Sequence, residues 1–204
     1  MESAGRAAPS RSSRQRNRPP LASDHGRRYT PVCATPSASP ASAIDAEITR
    51  TPESIALRFT VTGDIAQLAL PELANPTRAD ELWKHSCFEA FIMPEQGGGY
   101  SEFNLSPTGQ WAAYHFKSHR SGMANIAEAT DPGVGTRAFG DRFDLSATFD
   151  LRRLPNLEGH WKVGLSVILE DVAGVRSYWA VKHPENKLDF HHLDCFALRL
   201  PPAG

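Results

Sequence analysis

The feature that most constrains the fold of this chain is a series of short runs in which apolar and polar side chains alternate, from about residue 29 onwards. Turn-forming pairs such as Gly63-Asp64 and Ala173-Gly174 separate these runs. Alternation with a period of two is typical of a strand that buries one face. No segment shows a long apolar pattern of helical period. The sequence therefore predicts an all-β fold, an antiparallel β-sandwich or jelly roll.

The predicted strands follow these runs. They are expected at 42–50, 54–62, 65–73, 86–93, 100–105, 110–116, 141–151, 160–171, 175–181 and 195–200. The segment 75–82 has the residues of a helix start, but it is long enough for one turn only. The segment 118–140 is rich in Gly, Ser, Ala and Asp, so we expect a loop with at most one short strand.

The first 28 residues differ in composition from the rest of the chain. They contain seven Arg against Glu2 and Asp24, and almost no large apolar side chains. Such a segment cannot bury enough surface to offset the entropy of ordering. Residues 1–28 are therefore predicted to be a disordered basic segment in front of a single domain, 29–204. A targeting peptide, a nucleic-acid-binding tail and an extension from an upstream start codon are the alternatives.

The overall balance of charges gives no reason to expect nucleic acid or a membrane as a partner. The 204 residues carry a formal net charge of -1. No apolar stretch approaches the roughly 18 residues of a membrane span, and no secretory signal is visible after the first arginines. The chain has three cysteines, too few for a disulfide framework. Without a signal peptide they favour reduced thiols and a cytoplasmic location.

Polar side chains on two predicted strands share a face with apolar ones. Alternation places Glu102 and Asn104 on one face of YSEFNL, and Glu89 on the face of Cys87 in SCFEAFI. A buried carboxylate without a partner is costly. Glu89 therefore either faces water or a basic side chain of a neighbouring strand, or it lines a polar groove. In the second interpretation Glu89, Glu102 and Asn104 form the floor of a groove for a sugar.

Aromatic side chains supply the other half of a sugar site, because they stack on the flat faces of sugar rings. Trp161 begins a strand and is assigned to the core. Trp83 follows a polar segment in a loop and is a candidate wall of the groove. Trp111 or Trp179 is the candidate for the other wall. For each of these tryptophans the alternative is a place in the core.

The densest polar cluster lies in the loop before the last predicted strand. It contains His183, Asp189 and His191, but their spacing lacks the regularity of a zinc motif, so no metal is predicted. Asp189 is expected to orient an imidazole by hydrogen bonding. We expect the loop to pack over one end of the sandwich near Trp83 and to form part of a ligand pocket. The alternative is that it only closes the end of the core.

The motifs of common enzyme classes are missing. The sequence contains no G-x-S-x-G, no G-x-G-x-x-G, no P-loop and no H-E-x-x-H. No catalytic residue is predicted, and the chain is interpreted as a binding module rather than an enzyme. A glycoside-acting enzyme that uses Glu89 and Glu102 stays open as the less favoured alternative, since glycosidases use two carboxyl groups.

Three segments carry a resemblance to a known family: ELWKHSCFEAFI, YSEFNLSPTGQWAAYHF and YWAVKHPENKLDFHHLDCFALRL. They resemble the bacterial DOMON-like proteins, which are similar to family 9 carbohydrate-binding modules and to DOMON domains that bind haem or sugars. The resemblance covers about residues 29–200. It implies a jelly-roll sandwich that binds a ligand on one sheet or at its rim, most simply a carbohydrate that is not turned over.

The same resemblance implies candidate residues for two kinds of ligand. Family 9 modules clamp a sugar between two Trp, for which Trp83 with Trp179 or Trp111 are the candidates. Haem-binding DOMON domains use axial Met, His or Lys ligands, for which Met93 and Met123 are available. Neither Met lies in a matching pattern, so no cofactor is predicted. Haem binding in electron transfer is the alternative function.

Overall fold

The computed structural model describes residues 26–35, 39–72, 74–155 and 157–203, which form two antiparallel β-sheets. These ranges contain no α-helix. Their helical segments are short 3₁₀ turns, at Ile65–Gln67, Leu82–Lys84, Leu151–Arg153 and Leu193–Cys195. The predicted β-sandwich is confirmed.

Thirteen strands are found in the described part of the chain. They are β1 (Arg27–Tyr29), β2 (Val32–Cys33), β3 (Ala41–Arg50), β4 (Ser54–Gly63), β5 (Cys87–Pro94), β6 (Tyr100–Leu105), β7 (Trp111–Phe116), β8 (Ala124–Asn125), β9 (Gly135–Phe139), β10 (Arg142–Asp150), β11 (Trp161–Glu170), β12 (Arg176–Ala180) and β13 (Leu198–Leu200). The smaller sheet has the order β1-β3-β4-β10-β9. The larger sheet has the order β2-β12-β11-β5-β6-β7-β8, and β13 also pairs with β11.

The main core lies between the two sheets, because alternate residues of each strand point inward. Phe59 of β4 packs against Phe88 of β5, with ring centroids 5.3 Å apart. Trp161 is fully buried at the start of β11, and its Nε1 donates to the carbonyl oxygen of Leu157 at 3.0 Å. The guanidinium of Arg50 lies over the same ring, 3.5 Å from its centroid. Trp161 therefore has the core position predicted for it.

One predicted strand, 65–73, does not form. Ile65–Gln67 is a 3₁₀ turn, and Leu68 makes only an isolated bridge to Asp171. Ile65 and Leu68 are nevertheless buried in the main core. The apolar side chains of this segment thus contribute to the core without extending a sheet, and Pro71 has no N–H to donate to a ladder.

The ends of the domain and one loop also differ from expectation. β1 begins at Arg27, inside the predicted N-terminal segment, and Arg27 pairs with Ile48 of β3. Residues 1–25 of that segment lie outside the described residues. The last strand is confined to β13 because Leu193–Cys195 forms a 3₁₀ turn. The loop 118–140 contains two short strands, β8 and β9, rather than at most one. In the described residues no helix has the length and apolar character that crossing a membrane requires.

Candidate functional site

The outer face of the larger sheet carries a second cluster of buried side chains, separate from the main core. Its members are Leu82, Cys87, Phe91, Tyr100, Ala112, Tyr114, Phe116, Ile168, Ala180, Phe190 and Phe196. Strands β5, β6, β7, β11 and β12 supply the residues nearest the sheet. The loops before β5 and before β13 supply the residues that cover them. The larger sheet is thus buried on both faces, and β6 is buried at every residue although it carries Ser101, Glu102 and Asn104.

A cavity of about 610 Å³ opens on this covered face. Glu89 of β5 and Glu102 of β6 line it from the sheet. Its aromatic and aliphatic lining consists of Trp83, Phe116, Met123, Ile168, Tyr178, Leu188 and Phe190. Its other polar lining consists of Arg120, Arg176, Asp189 and His191. This size and this mixture of apolar walls with a few polar groups suit a small-molecule ligand.

The floor of the cavity is a pair of buried carboxyl groups. The side chains of Glu89 and Glu102 belong to residues that are 3% and 4% exposed. In the register of β5 and β6, Glu89 lies opposite Asn104, so Glu89 and Glu102 are diagonal neighbours on one face. Ser166 Oγ donates to Glu89 Oε2 at 3.0 Å, and Asn104 Nδ2 donates to Glu102 Oε1 at 2.7 Å. Both donors are neutral groups.

Burial changes the acidity of both carboxyl groups. Desolvation, together with the nearby Glu102, raises the pKa of Glu89 to about 8. Desolvation also raises the pKa of Glu102 to about 7, although the hydrogen bond from Asn104 opposes the rise. Two interacting carboxyl groups with such values titrate as a pair. At neutral pH the pair therefore holds at least one proton when no ligand is present.

Asp189 anchors the loop that precedes β13. Arg120 donates from Nε and Nη2 to Asp189 Oδ1 at 3.1 and 2.7 Å, and His119 Nε2 lies 3.0 Å from Asp189 Oδ2. The backbone N–H of His191 donates to Asp189 Oδ1 at 3.1 Å. Burial acts to raise the pKa of Asp189, but Arg120 and the other donors outweigh it and lower the pKa to about 2. This ionised carboxylate joins the loop after β7 to the loop before β13.

His191 connects that loop to the floor. Its Nδ1 is 2.7 Å from the hydroxyl oxygen of Tyr100, and its Nε2 is 3.7 Å from Glu102 Oε2. Burial, and then the positive charge of Arg120, lower the pKa of His191 to about 4. The imidazole is therefore neutral at neutral pH, and it does not balance the charge of an ionised Glu102.

Aromatic side chains from two different segments line the cavity. Trp83, in the 3₁₀ turn before β5, is 36% exposed, and its ring centroid lies 6.5 Å from that of Tyr114 in an edge-on arrangement. The hydroxyl of Tyr114 donates to Asp80 Oδ1 at 2.7 Å, which fixes the ring under Trp83. Tyr178 of β12 lies 6.3 Å from Phe190 of the loop before β13. The exposed ring of Trp83 and the half-buried ring of Tyr178 thus line the same cavity as the two carboxyl groups.

Five of the nine residues predicted for ligand binding line this cavity: Trp83, Glu89, Glu102, Asp189 and His191. A sixth, Asn104, is fully buried and donates to Glu102. Residues 188–191 of the loop line the same cavity as Trp83 and Glu89, but the loop packs on the outer face of the larger sheet rather than over one end of the sandwich. Asp189 contacts an imidazole as predicted, and that imidazole belongs to His119.

Trp111, Trp179 and His183 are placed differently. Trp111 and Trp179 point to the inner face of the larger sheet and belong to the main core, each 5% exposed. The sheet lies between these two residues and the cavity. Neither Trp111 nor Trp179 therefore forms the second wall that we expected. His183 also lies outside the cavity lining, and its Nε2 is 2.9 Å from the carbonyl oxygen of Val32.

Eight lining residues were not among the predicted binding residues: Phe116, Arg120, Met123, Ile168, Arg176, Tyr178, Leu188 and Phe190. Tyr178 could have been found, because alternation in RSYWA places it on the face opposite Trp179. Arg120 has no such signal. It lies in an irregular loop with a left-handed backbone, φ 52°, that the sequence does not mark.

Other features of the described residues are less informative. They include no group of three or more His, Cys, Asp or Glu side chains arranged to hold a metal ion. A second cavity, of about 920 Å³, lies between the turns Ser106–Gln110 and Asp171–Gly174, and none of the predicted site residues line it. The cavity over Glu89 and Glu102 is therefore the candidate site.

The fold of this chain, two packed antiparallel sheets, is similar to that of family 9 carbohydrate-binding modules. A candidate carbohydrate-binding protein from Bacteroides uniformis matches it with a TM-score of 0.60 and 13% identity, over 83% of this chain and 84% of that chain. A family 9 module from Caldicellulosiruptor kristjanssonii in complex with cellotriose matches with a TM-score of 0.53 and 9% identity, over 88% and 83%. A family 9 module from the same organism in complex with glucose matches with a TM-score of 0.52 and 9% identity, over 79% of this chain and 77% of that chain.

These identities are too low to carry more than the fold. No family model matches the chain, and no curated protein does. The resemblance to bacterial DOMON-like proteins stays a prediction.

Proposed function

We propose that this chain is a carbohydrate-binding module, and that it holds its ligand in the cavity over Glu89 and Glu102 without turning it over. The observation that carries the proposal is the combination of exposed aromatic rings with polar groups at the floor of a single cavity. Aromatic faces pack against the C–H faces of a sugar ring, while carboxyl and imidazole groups bind its hydroxyls. The volume of about 610 Å³ suits a ligand of one or two sugar rings.

The first test is the removal of the exposed aromatic wall. Trp83→Ala is expected to weaken binding of the best sugar found on a glycan array at least tenfold, about 1.4 kcal/mol, because the stacking surface is lost. Isothermal titration calorimetry measures the affinity. Phe139→Ala is the matched control, because Phe139 is an exposed aromatic residue on β9 of the other sheet. Equal affinities for Trp83→Ala and the wild type would contradict this site.

The absence of turnover needs its own measurement, because two carboxyl groups are also what a glycosidase uses. Incubation with aryl glycosides is expected to release no chromophore above the uncatalysed rate. A hydrolytic activity that is lost in both Glu89→Gln and Glu102→Gln would instead establish the glycoside-acting enzyme. The same two variants, which remove charge at nearly constant volume, thus separate the two functions.

Haem does not fit the residues that line this cavity. Met123 lines it, but Met93 does not. The ring nitrogens of His191 lie next to the Tyr100 hydroxyl and the Glu102 carboxyl, so neither is directed freely at an axial position. Anionic propionates would also meet an acidic floor. The purified protein is therefore expected to stay colourless and to develop no Soret band on addition of haem. A stoichiometric Soret band that Met123→Ala abolishes would reverse this conclusion.

A further inference from the structure

The carboxyl pair at the floor of the cavity has no cationic partner among the described residues. Glu89 and Glu102 accept hydrogen bonds from Ser166 and Asn104, and neither of them forms an ion pair with a Lys or Arg. The nearest imidazole, that of His191, is neutral at neutral pH. Two ionised carboxylates in such a place would repel each other and lack solvent, so the pair needs either a proton or a cation from outside.

The basic residues of the cavity do not supply that cation. Arg120 donates two hydrogen bonds to Asp189, so its charge is already balanced by a buried carboxylate. Arg176 donates to the carbonyl oxygen of Lys84 at 3.2 Å and lies opposite Glu170 in the register of β11 and β12. Neither guanidinium group donates a hydrogen bond to Glu89 or Glu102, although the charge of Arg120 acts to lower the pKa of both carboxyl groups. When the two carboxyl groups at the floor are ionised, no ion pair with a Lys or Arg balances their negative charge inside this cavity with aromatic walls.

We propose that the ligand carries an ammonium group, as a free amino sugar does, and that this group lies between Glu89 and Glu102. The inference rests on the proposed carbohydrate-binding function and names its ligand class. An ammonium has three N–H donors and a full charge, so it satisfies both carboxylates at once. A sugar hydroxyl has one donor and leaves the second carboxyl dependent on a proton. When the ammonium binds, every proton that the pair still holds leaves to solvent, and both carboxyl groups become ionised.

The experiment is a set of calorimetric titrations at about pH 6.5, where amino groups of this kind are largely protonated. The probes are glucosamine, glucose and N-acetylglucosamine, followed by the three corresponding galactose compounds. Within at least one series the amino sugar is expected to bind at least tenfold more tightly than both neutral sugars. In buffers of different ionisation enthalpy, amino-sugar binding is expected to release between one and two protons at this pH, and neutral-sugar binding none.

Variants separate the floor from the walls. Glu89→Gln and Glu102→Gln are expected to remove the preference for the amino sugar and its proton release, while some affinity for the neutral sugar remains. Glu128→Gln is the matched control, because Glu128 is an exposed carboxylate outside the cavity lining. Melting temperatures establish that each variant is folded.

The possible results lead to different conclusions. A neutral sugar that binds as tightly as its amino counterpart overturns the ammonium site and leaves the proposed function standing. An amino-sugar preference that survives both Gln substitutions also overturns it. If none of the six sugars binds, both the ammonium site and the binding of these sugars at this cavity are overturned.

Discussion

The protein is expected to lose folding stability as the pH rises from about 4.5 to about 8, and Glu89→Gln is expected to remove a large part of that loss, while the raised pKa of Glu102 contributes a further part. The pKa of Glu89 is raised from 4.5 to about 8 by desolvation and by Glu102. The unfolded chain releases this proton near pH 4.5, while the folded chain keeps it until about pH 8. Between those values the folded state binds more protons, so the free energy of unfolding falls as the pH rises. The destabilisation is absent below about pH 4.5 and complete above about pH 8.

The effect is large because a single buried carboxyl group with such a shift changes stability by a few kcal/mol. Urea denaturation at pH 5, 6.5 and 8 measures it. In Glu89→Gln a neutral amide replaces the carboxyl group at nearly the same volume. The residue opposite in the register is Asn104, whose Oδ1 is a buried acceptor without a partner among the described residues. Glu128→Gln should keep the wild-type slope. A wild-type stability that is constant or rises over this range would contradict the raised pKa of Glu89.

Asp189→Ala is expected to destabilise the protein by roughly 2–3 kcal/mol and to abolish most ligand binding. The substitution removes the acceptor that holds Arg120, His119 and the backbone of His191, so two loops over the cavity lose their common anchor. The size follows from the loss of several hydrogen bonds, some of them charge-assisted, to one buried carboxylate. Thermal unfolding and titration with the best-binding sugar measure the two effects.

The pH dependence of Asp189 has the opposite sign to that of Glu89. Its pKa is lowered from 3.8 to about 2 in the folded protein. Its contribution to stability is therefore present above about pH 4 and is lost as the pH falls through about 2. Asp194→Ala is the matched control, because Asp194 is an exposed aspartate of the same loop region and should change stability by less than about 0.5 kcal/mol. An Asp189→Ala variant with wild-type melting temperature and affinity would show that the loops are held by other contacts.

Alternation along the strands predicted part of the floor of the site. In YSEFNL it predicted the shared face of Glu102 and Asn104, whereas a groove shared with Glu89 was one of two interpretations, and the register of β5 and β6 places all three on one face. The same reasoning could not decide which face of QWAAYHF is inner. Both faces of β7 are buried and both carry aromatic residues, so nothing in the pattern distinguishes Trp111 from Tyr114.

Contacts between distant loops were beyond what the sequence could predict. Asp189 was recognised as a hydrogen-bond acceptor, but its partner Arg120 lies 69 residues away in a loop with no periodicity. The segment 65–73 was predicted as a strand because its composition is apolar. An apolar composition indicates that a segment is buried, but it does not show that the segment pairs as a strand. Pairing also requires a free neighbouring strand edge with matching donors and acceptors.

The lining of the cavity is drawn from segments that meet only in the complete fold: Trp83 before β5, Arg120 after β7, Tyr178 in β12 and His191 before β13. No fragment of the chain contains enough of the site to retain a ligand. Any ligand therefore binds the native state alone, and it raises the melting temperature in proportion to the logarithm of its concentration above Kd. A thermal-shift screen of a broad metabolite collection can thus identify the natural ligand without any prior choice of chemical class.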